Sequence, residues 1–169
     1  MAVSGQAIIK IDMQQTNVLD LLTATAPFSF TKTFTFTDGA GANMVNQVWS
    51  DTRTLGASAT EDLDLTGTAL TNSFGVAVAF ARIKGLYIAA AAANTNNVLM
   101  EPASANGWIG FLKAAGDQMI LRPGAAMCFF APDATGYATT AGTGDLLTLT
   151  NSAGSTGVTY DIFIIGATS

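Results

Sequence analysis

Any chemistry in this chain has to be done without histidine, which is absent from its 169 residues. The commonest general base and the commonest metal ligand are therefore missing. Neither a Ser-His-Asp nor a Cys-His arrangement can be assembled, and zinc sites built from Cys and His are excluded. What remains is 12 acidic residues, 7 basic residues and one thiol. "DLDLTG" (Asp62–Gly67) matches the opening of a calcium loop. The twelfth position counted from Asp62 is Ser73, where such a loop needs a bidentate Glu. These carboxylates therefore read as the solvent face of a strand whose other parity carries Leu63 and Leu65. Asp133 and Asp145 flank the glycine-rich "ATGYATTAGTG", the one other place where a calcium loop is conceivable. Neither stretch justifies assigning a metal or cofactor.

Paired carboxylates hydrolyse glycosides when held at defined separations, but twelve acids always offer some pair. No GxSxG, P-loop or GxGxxG occurs. No catalytic residue is assigned, and the chain is expected not to be an enzyme. Cys128 lies in the apolar "AAMCFFAP" with nothing to activate it, and reads as a buried core thiol. Trp49, Trp108, Tyr87 and Tyr137 could make a sugar-stacking platform, although such aromatics more commonly serve a core. Trp108 sits beside turn residues in "SANGWIG". Trp108 and Tyr137 are the candidate ligand contacts.

Elements that would position these residues follow from the alternation of side chains. In "FSFTKTFTFT" (28–37), Phe28, Phe30, Phe34 and Phe36 share one parity, and Ser29 and four threonines share the other. That is a strand with an aromatic face and a hydroxyl face, expected to line one wall of a sandwich. Lys32 on the Phe side marks either a bulge or an edge where an inward lysine discourages pairing. "QAIIKIDM" (6–13) reads as a first strand, and "NVLDLLTATAP" (17–27) as a helical turn. Residues 1–27 form an N-terminal arm or first strand on this reading. Further strands are expected at 46–55, 61–65, 82–91 and 96–102, with three short ones in "GWIGFLKAAGDQMILRPGAAMCFFAPD". "GDLLTLTN" and "VTYDIFIIG", joined by "SAGSTG", carry the signature of a β-hairpin. Nine or ten short strands without βαβ alternation predict an all-β, single-domain antiparallel β-sandwich, jelly-roll-like, over residues 1–169.

Charged residues are only 11% of the chain, against about 25% in ordinary domains. A folded monomer of this mass exposes roughly 7,800 Å², which leaves about one charge per 400 Å². Solubility then rests on Thr, Ser, Asn and Gly, or else partners cover part of the surface. The net charge is −5, and the basic residues are scattered except for Arg82 and Lys84. That excludes a nucleic-acid footprint. The longest apolar run, Gly85–Ala93, is about half of what crosses a bilayer. The N-terminus lacks a basic segment followed by an apolar one, so synthesis in the cytoplasm without a cleaved signal is expected, and no membrane partner.

The last third of the chain is similar to small virion structural proteins of tailed bacteriophages. It shares with them a Pro-Gly before an apolar strand (Pro123-Gly124), then "GTGDLLTLTN", then a closing "VTYDIFIIG". The stretch "EDLDLTGTALTNSFGVAVAFARIKGLYIAAAA" resembles them too. The likeness covers roughly residues 60–169 and transfers no functional residue, because such proteins act through surfaces. It implies a capsid cement or decoration protein on the virion head, with the major capsid protein as partner and a homo-oligomer, a trimer foremost. The alternative is a tail-tip or fibre module that binds a cell-surface glycan through Trp108 and Tyr137.

Overall fold

A computed structural model describes residues 2–168 as twelve β-strands with no helix among them. Two antiparallel sheets pack face to face as a β-sandwich. The first is built on β4 (Gln47–Leu55), β12 (Val158–Ala167) and β6 (Arg82–Ala90). β9 (Ala126–Phe130) and the short β10 (Tyr137–Ala138) both pair with β6. The second sheet has the order β5 (Thr60–Asp64), β11 (Leu146–Asn151), β7 (Val98–Pro102) and β8 (Met119–Leu121). Alternation fills the space between them. Tyr160, Ile162 and Ile164 of β12 and Leu86 and Ile88 of β6 meet Leu63, Met100, Leu147 and Leu149 of the second sheet.

The two C-terminal strands do not form the expected hairpin. β11 pairs with β5 and β7, whereas β12 pairs with β4 and β6. Residues 152–157 therefore cross from one sheet to the other. Asn151 pins that crossing: its buried amide donates to the carbonyls of Gly56 at 2.8 Å and Thr156 at 2.7 Å. Turn residues report a reversal of direction but not which sheet the chain enters next. The stretch 107–130 also departs from expectation. It holds two strands, β8 and β9, because residues 110–116 are turns and bends.

The aromatic strand is not a wall of the sandwich. β1 (Gly5–Val18) and β2 (Thr23–Asp38) pair from Gly5↔Phe36 to Val18↔Thr23 without a register shift. Together they make a two-stranded ribbon about 45 Å long at ~3.4 Å per residue. The expected helical turn at 17–27 is the ribbon's tip and the start of β2. Leu19 N–H donates to the Leu22 carbonyl at 2.9 Å, closing a tight turn. Only the ribbon's base is held. Phe36 packs with Val45 and Ile165, joined by Ala7, Phe34, Val48 and Phe130. β3 (Met44–Val45) adds a two-residue parallel pairing to the end of β2.

Lys32 faces Ile9 in unbroken register, so no bulge surrounds it. It lies beyond the short β3 pairing, on an edge, with its ammonium 5.4 Å from the centre of the Phe34 ring. A bulge does occur at another lysine, Lys84. The β6–β12 register slips between Ile165 and Gly166, which leaves Lys84 without a partner on β12.

Candidate interaction surface

The ribbon's two faces differ sharply. Residues directly opposite each other across an antiparallel pair share a face. Ala7/Phe34, Ile11/Phe30 and Met13/Phe28 therefore fall on one side, and Ile8/Thr33, Lys10/Thr31 and Asp12/Ser29 on the other. The apolar side is covered at its base, where Phe36 is 3% exposed. It then runs past the end of the sandwich: Phe30 is 57% exposed, Phe28 58% and Met13 65%. The tip adds Leu21 at 97%. Total exposed area is 9118 Å², about 1,300 Å² above the roughly 7,800 Å² of a compact monomer of this mass.

Beside the ribbon's base, the outer surface of the first sheet is also apolar. Cross-strand register sets Val48, Ile165, Gly85 and Phe130 in one row, and Ser50, Phe163, Tyr87 and Cys128 in the next same-face row. The ribbon's base covers the first row; the Phe34 and Phe130 rings lie 5.0 Å apart. Gly85 makes room for this, since a Cβ there would sit 2.5 Å from the Phe130 ring. The second row stays open, with Phe163 and Tyr87 exposed. Together with β1 it bounds a groove of about 830 Å³, lined by Ile9, Tyr87, Cys128, Phe130 and Phe163 among others.

Cys128 is thus exposed rather than in the core. Its apolar neighbours suggested burial, but alternation turns Met127 and Phe129 toward the core and Cys128 outward. The sheet happens to be apolar on both sides, so hydrophobic context could not separate the two.

Trp108 and Tyr137 come together, though not as a platform. Trp108 is 2% exposed, and its indole N–H donates to the Ala138 carbonyl at 2.9 Å. It packs edge-on to Phe111 at 5.8 Å, and Phe111 and Phe129 pack in turn against a half-buried Tyr137. Trp49 is buried as well. No tryptophan ring face is left for a sugar to stack on.

The carboxylates singled out from sequence make local hydrogen bonds in turns and across strands, and Asp64 and Asp145 share Thr66 as a donor. Asp64 Oδ1 accepts from the N–H groups of Thr66 and Gly67 at 3.0 and 2.7 Å. Asp133 Oδ1 accepts from Thr135 and Gly136, and these N–H groups, Gly136 foremost, hold its carboxyl below the usual range. Asp145 is buried; its Oδ2 accepts from the Thr66 hydroxyl at 2.8 Å and the Gly142 N–H at 2.7 Å. Asp62 takes the Thr148 hydroxyl across the β5–β11 pair. Among the described residues, no three His, Cys, Asp or Glu side chains converge as a metal-holding group.

Two buried polar groups escaped sequence reasoning. The bulge turns Lys84 under the 39–43 loop, where its ammonium donates to the carbonyls of Ala40 at 3.0 Å and of Gly41. Burial pushes its pKa down. Tyr160, facing the core from β12, donates to Glu61, whose other oxygen binds Arg53. Burial, then the Glu61 bond, raises the Tyr160 pKa. Both groups are structural, and neither lies in the groove.

No family model, curated protein or solved structure matches this chain.

Proposed function

We propose that this chain is a structural protein of a bacteriophage virion, a cement or decoration protein that binds the major capsid protein on the outside of the head. The observation that carries the reading is the ribbon: an apolar face left uncovered by its own chain, on a molecule with very few charges. Such a surface is suited to being covered by protein. Its other face is mostly hydroxylated, and its only two charges, Lys10 and Asp12, neutralise each other in an ion pair. The likeness of residues 60–169 to phage virion proteins points the same way.

The mechanism is mass action. A subunit that binds the assembled shell and not its dispersed parts stabilises the shell by its binding free energy. Symmetric homo-oligomers, trimers foremost, multiply the effect by avidity. Gold-labelled antibody to the purified chain, applied to virions from a lysate, tests the assignment. Label spread over heads is the expected result. Label confined to tail tips would replace it with a receptor-binding role.

A further inference from the structure

We infer that copies of this chain join through the ribbon, the apolar face of one seating in the groove of the next. The groove's floor is the same sheet surface that already holds the base of its own ribbon. Phe34 and Phe36 lie on the row of Val48, Ile165 and Phe130; the neighbouring row of Phe163, Tyr87 and Cys128 offers the same kind of seat, unfilled. The unfilled stripe of Ile11, Met13, Phe28 and Phe30 offers more of the same ribbon face. One chain therefore carries both an unoccupied seat and the group that fits it.

The ribbon does not reach its own seat. β1 borders the groove only through residues 5–10, and none of Ile11, Met13, Phe28 and Phe30 lines it, all four being exposed. Charge agrees: Lys32 lies among the exposed phenylalanines, and of the groove's charged lining Lys10 and Asp51 are taken by ion pairs with Asp12 and Arg53, while Lys32 and Asp161 are in none among the described residues. Area agrees as well. Specific interfaces bury about 800 Å² per partner, and the excess of about 1,300 Å² over a compact monomer exceeds that. Each copy gives one ribbon and takes one, so the contacts close as a dimer by exchange or as a ring where the rotation between copies allows, and otherwise run on as a filament.

The purified full-length chain suffices as a test and no virions are needed, so its outcome is separate from that of the head assignment. Sedimentation velocity should find an oligomer. Phe28→Asp with Phe30→Asp, both at exposed positions, should leave the fold intact by circular dichroism and weaken association on the order of a hundredfold. Cys128, the only native cysteine, reports the contact directly. Met13→Cys should give disulfide-linked oligomers on mild oxidation, and an added Cys128→Ser should abolish them. Thr31→Cys, on the opposite face, should not cross-link to Cys128. A monomeric wild type overturns the inference, as does an oligomer that survives the double Asp variant. A disulfide formed within one chain of the Met13→Cys variant, between the introduced thiol and Cys128, also overturns it, by placing the ribbon on its own groove.

Discussion

Lys84 and Tyr160 show how single polar groups are accommodated in a sandwich with few charges. Lys84 is buried because the bulge on β6 turns it toward two loop carbonyls, and it fastens the 39–43 loop to the sheet. Lys84→Ala would leave those carbonyls short of a donor and should cost about 3 kcal/mol in urea unfolding. Tyr160 yields a pH signature. Its pKa is raised in the folded state, while the unfolded phenol ionises near pH 10. Above that pH the unfolded chain binds fewer protons at this residue than the folded one does, so stability falls as pH rises. Lys84 acts in the opposite sense, because its lowered pKa makes the unfolded chain bind more protons below about pH 10.4. The comparison that isolates the phenol is therefore wild type against Tyr160→Phe. Between about pH 9 and 11, the variant should lose less unfolding free energy than the wild type.

At the scale of elements, the ribbon is a gradient from covered to bare along one face. Phe36→Ala removes a side chain from a packed cluster and should cost about 3 kcal/mol or more. Phe28→Ala, on the same face and chemically identical, should change the stability of the monomer by less than about 0.5 kcal/mol. Equal costs in chemical denaturation would mean that the ribbon's outer half is packed after all. The alternation of Phe and Thr made β2 legible from sequence, and its partner β1 was legible in part. Periodicity reports that a strand has an apolar face but not what covers it, so the same signal fitted a sandwich wall and a projecting arm. Cys128 failed for a related reason: β9 is apolar on both parities, and only its register against β6 decides which side faces out. The tip leucines read as helical because they crowd together in sequence, while their role depends on the long pairing on either side. Lys84 was beyond reach, since a one-residue bulge leaves no mark in composition. Trp108 was placed beside turns correctly, yet the turns fold it inward onto Phe111.

For the whole molecule, scarcity of charge is the property with the widest consequences. Contacts made by Phe, Met, Ile and Thr are not screened by ions. Association with a capsid, or between copies, should therefore change little between about 0.05 and 0.5 M salt, which pelleting with stripped heads or sedimentation of the chain alone can measure. A steep loss with salt would point to ion pairs between the few charged residues as the true contact. The Thr-rich outer surface of the second sheet, with Thr60 bonded to Thr150 and Thr150 to Glu101, satisfies its own hydroxyls in cross-strand pairs. It needs no partner, which is why the ribbon and groove, not this face, are assigned to contact.

The crossing of residues 152–157 between sheets bears on how the chain comes into being. β11 lies between β5 and β7, and β12 between β6 and β4, so each sheet has a central strand that follows all of its neighbours in the chain. Until residues 146–167 leave the ribosome, neither sheet has the strand that joins its halves. Synthesis must pass residue 167 before cooperative folding of the sandwich begins, and long-range pairing of this kind is slow. A nascent chain cut short after Gly144 should be digested by protease as an unfolded polymer, whereas one carried through Ala167 should resist.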